Sequence, residues 1–203
     1  MTRPRGSQAG FTLLEITLAF TLLAILLTKI AVTVQSATRF TGETMTSSQL
    51  SDQAQRTIDR IAYAVMAAER STLFPMSQAP AWTESLDFRV SLGVEERAVV
   101  WADPERIGLD EAPNRLLWTT NPGAEDERHV LWSNLVRPFL AGEEPNGVDD
   151  NGNGIVDEKG LSFVVKDGAV TIRLTIGREG AGDAVIEETL ESTVMCRNLG
   201  AGL

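Results

Sequence analysis

Residues 146–158, NGVDDNGNGIVDE, carry oxygen-bearing side chains at alternate positions around a glycine. Carboxylates, side-chain amides and backbone carbonyls are the ligands that Ca²⁺ prefers, and alternate residues of a tight loop can direct such oxygens to one centre. Gly154 permits the sharp turn that this arrangement needs. The predicted ligands are Asp149, Asn151, Asn153, the backbone carbonyl of Ile155, Asp157 and Glu158. The residue types and their spacing therefore predict a loop that binds Ca²⁺.

From Asp149 onwards, the stretch resembles the first nine positions of an EF-hand-type calcium loop, and it is similar to dockerin-like and thrombospondin-like repeats. The resemblance is incomplete, because Gly160 stands at the twelfth position, where a bidentate glutamate is expected. The acidic residues left to replace it are Glu158, Asp150, Glu143 and Glu144. A site with so few carboxylates is expected to bind weakly, with a dissociation constant of about 10⁻⁴ to 10⁻³ M. The alternative is a solvated turn, since Asn, Asp and Gly are ordinary turn residues.

Two charged side chains, Glu15 and Lys29, interrupt the apolar run of residues 11–34. As a helix this run spans roughly 36 Å, enough to cross a hydrocarbon core of about 30 Å. Lys29 lies near the far end, where a lysine can extend its ammonium to the interface. Arg3 and Arg5 precede the run and favour a cytoplasmic N-terminus. A carboxylate inside a membrane costs about 3 kcal/mol and is usually functional, so Glu15 needs an explanation.

Two ordinary interpretations of this run are open. A cleaved secretory signal peptide fits the basic start, but Gln35 stands two places before Ala37, so the A-x-A pattern of a cleavage site is missing there. A plain membrane anchor fits the length and the apolar composition. It explains neither Glu15 nor Gly10, the glycine just before the first apolar residue.

The third interpretation rests on a resemblance. A short basic leader ending in Gly10, the residues FTLLE and then a long apolar helix resemble the type IV prepilin signal. The resemblance implies that a membrane prepilin peptidase cleaves between Gly10 and Phe11 and methylates the new Phe11 amine. It also implies that Glu15 pairs with the terminal amine of a neighbouring subunit, since two charges that are costly alone in lipid are tolerated as a pair. The implied partners are the peptidase, other pilins or pseudopilins and the inner membrane.

Beyond the apolar run the hydrophobic period changes from helical to strand-like. Apolar residues at spacings of three and four predict that residues 50–68 form a helix packed on its own domain. This stripe consists of Leu50, Ala54, Ile58, Ile61, Val65 and Ala68. From residue 86 the period is two, and Asp167-Gly168 between alternating apolar residues predicts a hairpin. Strand candidates lie at residues 86–92, 97–102, 115–120, 128–133, 161–177 and 183–198.

This order of elements predicts an α+β fold, in which a long N-terminal helix, membrane-spanning in its first half, packs on an antiparallel β-sheet as in pilins. We expect a leader at residues 1–10, a transmembrane and assembly helix at 11–34 and the soluble half of the helix at 35–72. The globular β-sheet region is expected at 81–203, with an acidic loop insertion at 141–160.

The charge and the reactive residues argue against two functional classes. The formal charge is −10, with +2 on residues 1–10 and −12 on the rest, and an acidic body disfavours nucleic acid as a partner. Neither a nucleophile with a plausible base nor a glycine-rich phosphate loop is found in the sequence. His129 and Cys196 are each the only residue of their type, so neither a paired zinc site nor an intrachain disulfide is predicted. We therefore expect a protein that is not an enzyme.

Among pilin-like proteins, the chain resembles the J-type minor pseudopilins of type II secretion and the related W-type minor pilins. The resemblance rests on size, a long helix, a sheet with a large insertion and an ending near VMCRN, residues 194–198. The presence of Glu15 argues against the K-type, which often lacks this glutamate. It implies a minor pseudopilin of the tip or priming complex of a periplasmic pseudopilus. Such a subunit crosses the bacterial inner membrane once, with its N-terminus cytoplasmic. The alternatives are a minor pilin of a type IV pilus used for adhesion, motility or DNA uptake, and a monomeric membrane-anchored binding module.

Overall fold

The computed structural model describes residues 12–75, 82–110, 114–166, 168–179 and 185–197. The chain is α+β, because one long helix comes first and antiparallel strands follow. It divides into two compact units, the first ending at Thr44 and the second beginning at Met45. The expected cleavage pair, Gly10 and Phe11, lies outside the described residues, as does Asp167 of the predicted hairpin.

The helix and strands have the following bounds. The α-helix α1 is Leu13–Ala67, and a short 3-10 helix follows at Arg70–Thr72. The strands are β1 Ser85–Phe88, β2 Ser91–Glu95, β3 Ala98–Trp101, β4 Glu105–Leu109, β5 Leu116–Thr120, β6 Arg128–Ser133, β7 Leu161–Lys166, β8 Ala169–Glu179 and β9 Val185–Met195. The acidic insertion lies between β6 and β7.

The second part of α1 is an amphipathic core helix. All six residues of the predicted stripe are buried, with at most 2% of each residue exposed, and they belong to the main hydrophobic core. Tyr63, which lies off the stripe, is 71% exposed. The helix ends at Ala67, and Ala68 forms a β-bridge with Val90. The spacing of three and four therefore predicted the buried face correctly.

Four strands form the first antiparallel sheet, in the order β1-β4-β5-β6. The interior strand β4 was not predicted, because its sequence ERIGL does not alternate and contains a glycine. The structure requires that glycine, since a Cβ at Gly108 would lie 2.5 Å from the Cβ of Ser85. Gly108 thus allows β1 to approach β4 closely.

The prediction of one strand over residues 86–92 is wrong. The chain leaves the first sheet after Phe88, and Ser91 begins a separate hairpin of β2 and β3. Between them, the Arg89 carbonyl accepts a hydrogen bond from Glu69 N at 2.9 Å, and Arg89 N donates to Thr72 Oγ1 at 3.0 Å. These bonds to the segment after α1 replace the ladder, so one predicted sheet becomes two sheets and a hairpin.

The strands β7, β8 and β9 form the second antiparallel sheet. The hairpin predicted between β7 and β8 is present, and Gly168 at its turn has a φ of 80°. A β-bridge between Thr83 and Phe163 joins β7 to the segment that precedes β1. The buried residues Phe163, Ile172 and Leu174 of this sheet belong to the same core as the α1 stripe.

Candidate functional site

The first turn of α1 contains Glu15 beside a capping residue. Thr12 Oγ1 accepts a hydrogen bond from Glu15 N at 3.3 Å, and Thr12 O accepts from Ile16 N at 3.2 Å. Threonine followed three places later by glutamate is typical of a capped helix start, and an acid in the first turn interacts favourably with the helix dipole. This local role was missed, although the Thr-x-x-Glu spacing indicates it. The Glu15 side chain is exposed and has no ion pair within the described part of the chain.

Next to Glu15, α1 presents an uncovered apolar surface. Thirteen large apolar residues across residues 13–34 are 46–82% exposed. α1 is long and apolar enough to cross a membrane, and its most apolar window is not buried against the rest of the described chain. Exposed apolar surfaces of this size are typical of regions that contact a membrane or another protein.

The hydroxyl groups of this segment are satisfied within the helix. Threonine hydroxyls donate to carbonyl oxygens three or four residues earlier, at 2.8 to 2.9 Å; the donors are Thr17, Thr21, Thr28 and Thr33. Such bonds lower the cost of placing a hydroxyl in an apolar environment. In residues 13–34, Glu15 and Lys29 are therefore the polar side chains that form no hydrogen bond or ion pair within the described part of the chain.

The acidic loop is organised around Asp149. Its Oδ1 accepts hydrogen bonds from Gly152 N at 2.8 Å and Asn153 N at 3.1 Å, and its Oδ2 accepts from Gly154 N at 2.8 Å. Asn153 Oδ1 accepts from Ile155 N at 2.9 Å. The first and fifth positions of the predicted loop thus hold a tight turn by accepting backbone N–H groups.

Asp157 and Glu143 also accept hydrogen bonds from backbone N–H groups. The Asp157 carboxylate accepts from Asn146 N and Gly147 N at 3.0 to 3.1 Å. Glu143, which is buried, accepts from Asn151 N at 3.2 Å and from Asp157 N at 3.0 Å. These bonds tie the two ends of the loop together.

Glu158 has a different environment from the other predicted ligands. It is fully buried, and its Oε1 accepts from Arg173 Nη1 and from Ser162 Oγ, each at 2.8 Å. Its Oε2 accepts from Asn153 Nδ2. Arg173 also forms an ion pair with Glu191 at 2.7 Å. Burial lowers the pKa of Arg173, but the hydrogen bonds to Glu191 and Glu158 outweigh this effect and raise the pKa above its usual value. Glu158 therefore anchors the loop to β8, a role that loop spacing did not indicate.

The structure gives a steric reason for Gly160 at the twelfth loop position. A Cβ there would collide with the backbone carbonyl oxygen of Arg137. Gly160 also takes part in backbone pairing, because its carbonyl accepts from Thr175 N at 2.7 Å. A glutamate at this position is therefore incompatible with the packing beneath the loop.

The predicted calcium ligands lie in one loop, but their carboxylates do not converge in this conformation. Among the described residues, no group of three or more His, Cys, Asp or Glu side chains is arranged to hold a metal ion. Glu158 is engaged by Arg173, and the Asp149 and Asp157 oxygens accept backbone N–H groups. The donor types suit Ca²⁺, but the arrangement shown here does not, and calcium binding stays a prediction.

A groove of about 400 Å³ lies beside Trp132, between α1 and β6. The Trp118 and Trp132 rings stack with centroids 6.2 Å apart, and the Arg60 guanidinium lies 5.2 Å from the Trp132 ring centroid. Trp118 Nε1 donates to Glu105 Oε2 at 2.9 Å. The polar residues along α1 that line the groove are Gln49, Asp52, Gln53, Arg56, Thr57 and Arg60.

Cys196 is a buried thiol at the end of β9. Burial raises its pKa, against a smaller lowering effect of Arg70. A thiol that is buried and protonated is a poor nucleophile, so this environment does not favour redox or catalytic use of Cys196.

Comparison of the chain with protein-family models, with curated proteins and with solved structures found no match.

Proposed function

We propose that this chain is a minor pseudopilin, a structural and non-catalytic subunit of the tip or priming complex of a type II secretion pseudopilus. The observation that carries the proposal is the first part of α1. There a continuous exposed apolar surface is combined with a single carboxylate, Glu15, in the first helical turn. A simple lipid anchor has no need of that carboxylate, whereas a helix that must recognise a second helix gains from a charge that requires a partner.

The proposed mechanism begins at the membrane. The apolar part of α1 inserts with the basic residues Arg3 and Arg5 in the cytoplasm. The prepilin peptidase cleaves after Gly10 and methylates the Phe11 amine. That amine and the Glu15 carboxylate of an adjacent subunit then neutralise each other, which lowers the cost of both charges in hydrocarbon. Addition of subunits extends the pseudopilus, which pushes secreted proteins outward from the periplasm.

The second unit suits the exposed end of such a subunit. Its core is formed by the buried stripe of α1 and buried residues of the two sheets, so this unit has a hydrophobic core of its own. The acidic loop is held to this core by the Glu158–Arg173 ion pair. The same features suit a minor pilin of a surface type IV pilus, which uses the same helix chemistry for adhesion, motility or DNA uptake.

A monomeric membrane-anchored binding module is the second candidate function. The groove beside Trp132 is the observation that favours it, because it is a concave surface that combines an aromatic ring with polar side chains able to orient a ligand. This candidate assigns no assembly role to Glu15, so the two functions are separable by experiment.

The test replaces Glu15 in the native host and follows assembly by cross-linking of the membranes. Glu15→Leu is expected to insert normally and to lower the yield of multi-subunit adducts by at least about tenfold, since a loss of 1.4 kcal/mol is enough for that factor. Asp59→Leu is the matched control, because Asp59 is an exposed carboxylate elsewhere on α1. Equal adduct yields from Glu15→Leu and the wild type would favour the monomeric module.

A further inference from the structure

The groove beside Trp132 continues past Arg60 into a second hollow of about 400 Å³. Arg60 and Trp132 line both parts of the groove. The other residues of the second part are Ala64, Glu105, Trp118 and Val130. Along α1 the lining runs from Gln49 to Ala64, a rise of about 22 Å. The groove is therefore elongated, and it belongs entirely to the unit that begins at Met45.

Trp132 lies at a β-bulge of β6. The register with β5 shifts between Leu116 and Leu117, so Trp132 has no opposite residue on β5. A bulge bends its strand and re-aims a side chain, and bulges are frequent next to active sites. Here the bulge accompanies the stacking of Trp132 on Trp118 at the floor of the groove.

Several polar groups of the groove have no hydrogen-bond partner in the described part of the chain. These groups are the side-chain amides of Gln49 and Gln53 and the indole N–H of Trp132. No buried polar side-chain atom among the described residues lacks a partner, so the three groups are accessible to a ligand. Arg60 forms neither an ion pair nor a hydrogen bond there, and its guanidinium contacts the Trp132 ring.

The charges of the lining balance. The charged residues are two cations, Arg56 and Arg60, and two anions, Asp52 and Glu105. An ionic ligand of either sign therefore gains little from this groove. Its amide, guanidinium and carboxylate groups together offer both donors and acceptors of hydrogen bonds. This mixture suits a neutral ligand that carries many hydroxyl groups.

We infer that the groove binds a neutral oligosaccharide. Sugar hydroxyls both donate and accept hydrogen bonds, so they match the mixed groups along α1. The C–H groups on the face of a sugar ring carry partial positive charge and suit the negative face of an indole ring. The exposed Arg60 side chain lies 5.2 Å from the Trp132 ring centroid. A sugar ring displaces it at small cost, and its guanidinium then donates to the hydroxyl groups.

An extended peptide fits this groove less well. The wall formed by α1 offers side chains, because the backbone groups of a helix bond one another. Val130 is the cross-strand partner of Trp118, and Trp132 stacks on Trp118, so the sheet wall also consists of side chains on one face. A peptide lying here would leave backbone N–H and C=O groups without partners.

The length of the groove along one helix indicates an extended sugar chain. Chains with the β-linkage of cellulose or chitin are extended, whereas the α-linked chain of maltose units coils. Cellopentaose and chitopentaose share the extended shape and differ in their sugar unit. The expected ligand is therefore a β-linked oligosaccharide of one of these two kinds.

Calorimetric titration of the full chain, in a detergent without sugar head groups, tests the inference. At least one of cellopentaose and chitopentaose is expected to give saturable heat, and the tighter of the two identifies the sugar unit. Maltopentaose, which is α-linked, is expected to bind at least about tenfold more weakly than the tighter probe. The inference is overturned if neither β-linked probe gives heat at about 10 mM, or if maltopentaose binds as tightly.

Variants of the groove show where the sugar binds. Trp132→Ala is expected to lower the association constant at least about tenfold. Gln49→Ala combined with Gln53→Ala changes the helix wall alone and is expected to lower it at least about threefold. Gln55→Ala is the matched control, because Gln55 lies outside the groove and bonds Asp59.

Urea unfolding shows whether each variant is folded, and the double glutamine variant decides the outcome if Trp132→Ala is not. Sugar binding that is unchanged in the folded groove variants, or lowered equally by Gln55→Ala, overturns the inference.

This inference goes beyond the proposed function and does not rest on it. Glu15→Leu is expected to bind the sugar as the wild type does, because Glu15 does not line the groove. A chain that begins at Phe11 but binds no sugar contradicts the inference and leaves the pseudopilin proposal intact. Sugar binding by a chain that retains residues 1–10 supports the inference and contradicts prepilin processing.

Discussion

Glu158 is a fully buried carboxylate in a loop whose residues 144–154 are mostly exposed. Its charge is compensated by Arg173 at 2.8 Å, and the hydroxyl of Ser162 supplies a further donor. Removing one partner of a buried pair is costly mainly because the other charge remains without compensation. At the residue scale, the attachment of the acidic loop therefore depends on Glu158 more than on the exposed carboxylates around it.

We predict that Glu158→Gln lowers the free energy of unfolding by about 3 kcal/mol, because Arg173 then lacks its buried partner. Glu191→Gln, which removes the 57% exposed partner of the same arginine, is expected to cost less than about 1 kcal/mol. Urea unfolding of the detergent-solubilised chain measures the effect of both substitutions. The probe is the fluorescence of the four tryptophans, which all lie beyond Met45 in the sequence. Equal effects of the two substitutions would contradict the assigned role of Glu158.

At the scale of elements, α1 is one continuous helix whose sequence serves two environments. Residues 13–34 are apolar on every face and remain exposed, whereas residues 50–68 are apolar on one stripe and bury it. An all-round apolar helix suits lipid, and an amphipathic helix suits the surface of a sheet. The change of pattern along α1 therefore marks the change of surroundings.

We predict that Ile61→Ala lowers the free energy of unfolding by about 2 to 4 kcal/mol, because Ile61 is fully buried in the stripe and its truncation leaves a cavity. Tyr63→Ala is the matched control on the exposed side of α1 and is expected to change stability by less than about 1 kcal/mol. The same urea unfolding measures both variants. A small effect of Ile61→Ala would mean that the second part of α1 does not close the core.

Calcium binding by the acidic loop can be measured directly. We predict that calorimetric titration with Ca²⁺ gives a dissociation constant of about 10⁻⁴ to 10⁻³ M, and that Asp149→Ala removes the heat. Binding requires the loop carboxylates to turn from backbone N–H groups towards a common centre. Identical heats for the two proteins would show that the loop is a solvated turn.

The sequence predicted those elements whose pattern is local. The stripe of residues 50–68, the β7–β8 hairpin and the position of β6 follow from periodicity and turn residues close in the chain. The strand β4 was missed because its place between β1 and β5 depends on non-local pairing and on close packing at Gly108. The break after Phe88 depends on hydrogen bonds from Glu69 and to Thr72, far away in sequence.

The candidate sites also divide into those that follow from local sequence patterns and those that depend on contacts between distant residues. Glu15 and the Asp149 turn are visible in short sequence patterns, because capping and tight turns are local. Glu158 is buried and pairs with Arg173, on a strand 15 residues later in the sequence. A contact of this kind leaves no periodic pattern in the sequence, so it was not predicted.

At the scale of the whole molecule, the two units have opposite surfaces. The unit ending at Thr44 exposes apolar side chains over residues 13–34, whereas the unit beginning at Met45 contains a hydrophobic core and leaves other apolar side chains, such as Leu92, Val94 and Met195, exposed. The chain carries a formal charge of −10, and negative charges repel the phosphates of nucleic acid. A protein built in this way is expected to work at a membrane, through contacts between helices.

Intact-mass spectrometry of the membrane-extracted protein shows whether the chain is processed as a prepilin. We predict a mass that corresponds to a chain beginning at N-methylated Phe11, and we predict that Gly10→Ala abolishes this form. A wild-type mass that still includes residues 1–10 would contradict prepilin processing, and the protein would then be an ordinary membrane-anchored domain.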